Sequence, residues 1–216
     1  MTTELQAVAD PDKAGPMAAY MKTDMAFYGV PSPARKRIVR EAKKRFTPAD
    51  DAEYRDQIET LWQLPHREEK YCAIGVARAH QPHITFDQID LYQDLVTEGA
   101  WWDFVDEIAT HLVGRVVATD RESMRPILER WIDGDDLWLR RTAIICRLGH
   151  KEHTDRDQLF DFCARRAHEK EFFIRKAIGW ALREYAKTDP DAVRAFVAEH
   201  QSELSGLSQR EATKHL

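Results

Sequence analysis

From Pro16 onward apolar positions recur every three or four residues, which predicts a succession of amphipathic helices of about 10 to 18 residues joined by short Gly, Pro, Asp or Thr punctuation. No stretch alternates apolar and polar in the manner of a half-buried strand. The spacing predicts a basic helix over Ala34–Phe46, opened by Ser32 as N-cap and Pro33 in its first turn, and a second from Thr47-Pro48 to about Leu64. Further helices follow over Arg67–Ala79, from Thr85 to about Glu98, and through Trp101, then from near Asp120, Asp136, Thr154, Lys170, Asp189-Pro190 and Ser208. Short connections between so many helices imply antiparallel neighbours.

A weak repeat underlies the pattern. Ala73, Ala109, Ala143 and Ala177 stand 36, 34 and 34 positions apart, each in the second helix of a presumed pair. The strings KYCAIG (70–75), RRTAII (140–145) and IRKAIG (174–179) resemble one another. A small residue at one point of each second helix allows close packing, and a period in the mid-thirties is that of helical-hairpin solenoids. The expected fold is therefore all-α, a helical-repeat solenoid of stacked antiparallel pairs with a concave groove, as a single domain over residues 1–216. Residues 1–16 fit no pattern and are expected to be a loosely ordered N-terminal segment.

Three helices carry residues that the packing stripe does not explain. In AWWDFVDEI (100–108), Trp101, Val105, Ile108 and Leu112 share an apolar stripe, while Trp102 and Asp106, four apart, project together from another face. An electron-rich ring one turn from a carboxylate suits a cationic planar ligand. The same spacing also suits a half-buried tryptophan at the border of an acidic, solvated face. Trp180 shares a polar face with Lys176, Glu184 and Lys187 in Glu171–Lys187. Arg141 is flanked at one-turn spacing by Leu137, Trp138, Ile144 and Ile145, so its guanidinium must find an anion or reach water past the stripe.

Composition narrows the class. Apolar residues make up 43% and charged residues 32%, and no apolar run approaches the roughly 20 residues of a bilayer span. The N-terminus lacks the basic start and apolar segment of a secretory signal, predicting a cytoplasmic protein. Cys72, Cys146 and Cys163 are odd in number and set among apolar residues, as free buried thiols would be. Net charge is −5, yet unevenly spread: Arg35–Arg45 holds seven Lys/Arg against one Glu, Phe46–Trp138 eight against twenty acidic residues, and Arg140–Arg183 eleven against six. Such segments build a positive groove, or simply solvated helix faces. There is no phosphate-binding glycine loop, no G-x-S-x-G and no H-E-x-x-H. His150 and His153 lack a convincing third ligand, so no metal and no cofactor is expected.

At FYGVPSPARKRIV (27–39), REEKYCAIG (67–75), WWDFVDEI (101–108), LWLRRTAII (137–145), KEFFIRKAIGWALREYAKTDPDAV (170–193) and LSQREATKHL (207–216), the chain resembles the DNA alkylation repair glycosylases of the HEAT-like-repeat type, called AlkD-like. The resemblance covers most of the chain. It implies hydrolysis of the N-glycosidic bond of cationic N3- or N7-alkylated purines, such as 3-methyladenine and 7-methylguanine, in double-stranded DNA by a monomer. It aligns the family's catalytic carboxylate with Asp106, its lesion-contacting tryptophans with Trp102 and Trp180, and its groove arginine with Arg141. In this reading Arg141, with some of Lys170, Arg175 and Lys176, holds DNA phosphates. The alternative is a non-catalytic helical-repeat module binding DNA or a protein through the same surface, against which Asp106 argues, since a phosphate-binding surface has no use for a carboxylate.

Overall fold

The computed structural model describes all residues, 1–216, and is helical throughout apart from turns and one isolated bridge between Ala26 and His66. The chain divides into two compact units, Met1–Ile84 and Thr85–Leu216. No helix is long and apolar enough to cross a membrane.

The first unit comprises α1 (Thr2–Gln6), α2 (Pro11–Met21), α3 (Ser32–Arg45), α4 (Asp51–Trp62) and α5 (Arg67–Ala79). α3 and α4 both pack on α5. Ser32 is the first helical residue of α3 rather than its cap, and Pro31 stands in the capping position. Two adjacent carboxylates of α5 organise the chain around them. Glu68, fully buried, accepts the backbone N–H groups of Tyr28, Gly29 and Val30 at 3.1, 2.9 and 2.9 Å. Three charge-assisted bonds satisfy its burial and fix the 28–30 turn. That turn needs glycine, because Gly29 has φ +80° and a Cβ there would lie 1.9 Å from the carbonyl oxygen of Asp10. Glu69, also fully buried, accepts from His66 N, the Tyr28 hydroxyl and the Thr2 hydroxyl.

The last of those bonds bears on residues 1–16, expected to be loosely ordered. They form α1 and the first part of α2 instead. Leu5 is fully buried in a cluster with Val30, Ile38 and Cys72, and Thr2 is tied to Glu69 at 2.9 Å. The periodicity missed this because one apolar anchor per short helix makes no stripe. α2 has no buried residue, so the anchoring comes from α1.

The second unit comprises α6 (Ile89–Gly99), α7 (Trp102–Ile108), a π-helical segment (Ala109–Val113), α8 (Gly114–Thr119), α9 (Arg121–Asp133), α10 (Leu137–Ile145), α11 (Arg156–Arg165), α12 (Phe172–Tyr185), α13 (Pro190–Glu199) and α14 (Gly206–Ala212). Aspartate caps recur: Asp120, Asp136, Asp155 and Asp189 accept first-turn N–H groups of α9, α10, α11 and α13. Ser205 caps α14, which begins at Gly206, two residues before the expected start at Ser208. α10 lies against α7, α9 and α12, and α12 lies along α14. Gly179 makes that last approach possible, since a Cβ would come within 2.5 Å of Glu211 Cβ and 3.1 Å of Ser208 O. Ala73, Ala109, Ala143 and Ala177 are all completely buried, as the repeat predicts. The three cysteines are free and buried, and burial pushes the Cys72 and Cys163 thiols up to about 12, away from nucleophilic chemistry.

Candidate active site

α6 ends with Ala100 in the left-handed region, and Trp101 is extended, so α7 starts afresh at Trp102. Its inner face is set by Val105 and Ile108, both fully buried, and Leu112 continues the stripe. Trp101, expected on that stripe, sits just outside the helix and packs edge-on against Phe173 at 5.5 Å and beside Trp138 at 6.0 Å. Trp102 and Asp106 occupy the adjacent face one turn apart. The Thr110 hydroxyl donates to the Asp106 carbonyl at 2.7 Å, where the backbone widens into the π segment. Single π turns interrupt α-helices preferentially at functional sites.

Asp106 is held by a two-pronged bond from α10. Arg141 Nε donates to Oδ1 at 2.7 Å and Nη2 to Oδ2 at 2.8 Å, the fork geometry in which guanidinium and carboxylate match. The remaining Nη1 donates to the Phe173 carbonyl at 2.6 Å, joining α7, α10 and α12. α10 is set by Asp136, which accepts the N–H groups of Trp138 and Leu139 at 2.9 and 2.8 Å. Arg141 is 5% exposed at its side chain and Asp106 18%, so the cation is sealed in while the carboxylate keeps an open edge. Burial holds the Asp106 carboxyl above the ordinary carboxylate range, against the downward pull of Arg141. Trp101, Trp138 and Phe173 wall this arrangement, with the Arg141 guanidinium 5.8 Å from the Phe173 ring. Phe173 escaped the sequence reading, because a backbone carbonyl leaves no mark in residue type.

The model of the DNA alkylation repair enzyme family matches residues 1–216. This chain belongs to that family. A solved structure of a predicted DNA alkylation repair enzyme from Enterococcus faecalis is 33% identical over 96% of each chain, with a TM-score of 0.88. AlkD2 from Streptococcus mutans, 15% identical, covers 94% of this chain and 98% of its own with a TM-score of 0.67. The smu.31 protein of Streptococcus mutans UA159, 16% identical, covers 85% and 92% with a TM-score of 0.64. The last two likenesses are of fold, the AlkD-like helical-repeat fold in the case of AlkD2. No curated protein matches.

In this alkylation repair enzyme the seven residues singled out from sequence are not equivalent. Asp106 and Arg141 are brought into direct contact, and Trp102 stands one turn from the carboxylate. Trp102 and Trp180 are half-buried, and neither indole is engaged in a hydrogen bond or ring contact. Arg141, expected to hold phosphate, instead spends all three of its nitrogens on Asp106 and the Phe173 carbonyl. Lys170 is exposed just ahead of α12. Arg175 donates to the Glu169 carbonyl at 3.0 Å, and Lys176 pairs with Glu211 at 2.9 Å. Of the four cations, Lys170 is the one presented to solvent without a partner.

Proposed function

We propose that this DNA alkylation repair enzyme is a monofunctional DNA glycosylase, hydrolysing the N-glycosidic bond of cationic N3- or N7-alkylated purines in duplex DNA. The observation that carries the reading is the Asp106 carboxylate, gripped at both oxygens by a buried arginine yet open along one edge beside Trp102. A structural ion pair has no need of that open edge.

The chemistry follows from the lesion. An alkylated purine is already positive, so it departs as a neutral base and needs no general acid. The charge that demands stabilisation is the oxocarbenium ion left on the sugar. Ionised Asp106 faces it and orients the attacking water. Arg141 is a positioning residue: it fixes the carboxylate and favours its ionised form against burial. Trp102 and Trp180 lie against the lesion nucleotide, where a ring face attracts a cation by roughly 0.5 to 2 kcal/mol. Lys170 contacts phosphate directly, whereas Arg175 and Lys176 do so on leaving their present partners. Water is the only co-reactant, and the whole chain acts as a monomer.

The test is single-turnover release of base from duplexes carrying one 7-methylguanine or 3-methyladenine, compared with ethenoadenine or hypoxanthine. Release of the cationic bases, with the neutral ones far slower, is expected. Equal rates would require a general acid and sink the mechanism; binding with no release of any base would make the chain a non-catalytic DNA-binding module.

A further inference from the structure

The π-helical segment Ala109–Val113 follows closely on Asp106, and the residues on either side of it meet one neighbour, α10. Asp106 meets α10 through Arg141, and Gly114 through the carbonyl of Cys146 at the helix end. A Cβ on Gly114 would lie 2.3 Å from that carbonyl oxygen, so the approach there is by bare backbone. A regular α-helix does not turn both residues toward one partner. At about 100° per residue, the steps from Asp106 to Gly114 overshoot two full turns by about 80°. The wider π turn absorbs the rotation of about one residue, which brings the two within about 20° of a common line facing α10. The carboxylate is thus aimed at Arg141 with the help of the widening behind it.

At a π turn the backbone partner changes from the fourth to the fifth preceding carbonyl. The Asp106 carbonyl stands at that changeover, approached by the Ala109 N–H, which also points to the Val105 carbonyl. The Thr110 hydroxyl adds a short bond to it at 2.7 Å. Threonines bond back to the fourth preceding carbonyl elsewhere in this chain, and there the context is ordinary. Thr97, Thr119 and Thr213 do so at 3.2, 3.1 and 2.9 Å at helix ends, where carbonyls lack backbone donors. Thr110 does so inside a continuous helical run, and on the residue that carries the carboxylate. Ala109, Leu112 and Val113 around it are fully buried, so the backbone it ties is anchored in the core.

We propose that Thr110 is a positioning residue for Asp106: its hydroxyl holds the backbone at the π turn, so that the carboxylate meets the Arg141 fork and keeps one edge open. Its part in base release presupposes the glycosylase reading of Asp106. In the full-length protein, Thr110→Val keeps the side-chain shape and removes the donor, whereas Thr110→Ser keeps the donor. The first readout is the carboxyl 13C titration of Asp106, its signal identified by its absence in Asp106→Asn. Arg141, Asp103 and Glu107 are the charges that act on this carboxyl, and neither Thr110 variant alters them. Thr110→Val should move the midpoint upward, because a looser fork opposes burial less, and Thr110→Ser should leave it in place. The second readout is single-turnover release of 7-methylguanine, which should fall about tenfold in Thr110→Val, the order of one net hydrogen bond, and recover in Thr110→Ser. An unmoved midpoint in Thr110→Val would overturn the proposal, whether release is normal or slowed, since slowed release alone would make Thr110 a contact of the substrate. So would a midpoint that moves equally in Thr110→Ser. If the wild-type chain releases no base, the glycosylase reading falls separately, and the titration alone still decides whether Thr110 sets the carboxylate.

Discussion

Asp106 and Arg141 are separate signals in the sequence and one object in the fold. The spacing of Trp102 and Asp106 is legible because both lie on one helix, where four residues make a turn. The sequence also says that Arg141, set among apolar neighbours, requires an anion or an escape to water. What it conceals is that the anion is Asp106, 35 positions away on another helix, and that the chain itself supplies it. The pairing has a titration consequence. Burial raises the Asp106 carboxyl and the proposed mechanism uses its ionised form, so base release should fall as pH is lowered through that raised value, where an ordinary aspartate is still charged. Removing the guanidinium in Arg141→Met leaves burial unopposed, and the acid limb of the pH–rate profile should move to higher pH. Breaking a largely buried pair from one side should also cost about 3 kcal/mol of stability. A limb that stays put in the variant would assign the titration to some other group. Asp106→Asn should lower release by about 10² or more at every pH.

At the scale of the helix, the pattern of apolar positions predicts most elements and sets several of their starts at the aspartates that cap them, because amphipathic spacing and capping are local properties. It misses whatever depends on a single contact made at a distance. α1 is held by one leucine and one threonine hydroxyl, and the 28–30 turn by a glutamate some forty positions on. The π segment after Asp106 is likewise invisible to a search tuned to 3.6 residues per turn. The α12–α14 contact is a sharper case, since a glycine inside a helix reads as a weakness until the neighbouring helix is seen. Gly179→Ala should improve helix propensity and yet destabilise the protein, by roughly 1 to 3 kcal/mol, because a Cβ at 2.5 Å from Glu211 must push α14 away. Denaturant unfolding decides it, and a neutral or stabilised variant would mean that α14 shifts freely.

Taken over the whole molecule, a chain of net charge −5 has to meet a polyanion, so the local distribution of charge matters more than its sum. At the proposed reaction centre the carboxylate and the guanidinium touching it cancel to first order, so an approaching duplex meets a dipole there where a lone aspartate would repel it. The two halves of the pair should therefore behave as opposite charges toward DNA that carries no lesion. Asp106→Asn leaves a bare cation and should tighten binding of undamaged duplex; Arg141→Met leaves a bare anion and should loosen it, although that arginine contacts Asp106 and the Phe173 carbonyl. Both changes should shrink as salt is raised. The carboxylate proposed to drive the chemistry is thus kept electrically quiet until a cationic lesion, the substrate proposed for it, replaces the phosphate field as its nearest visitor.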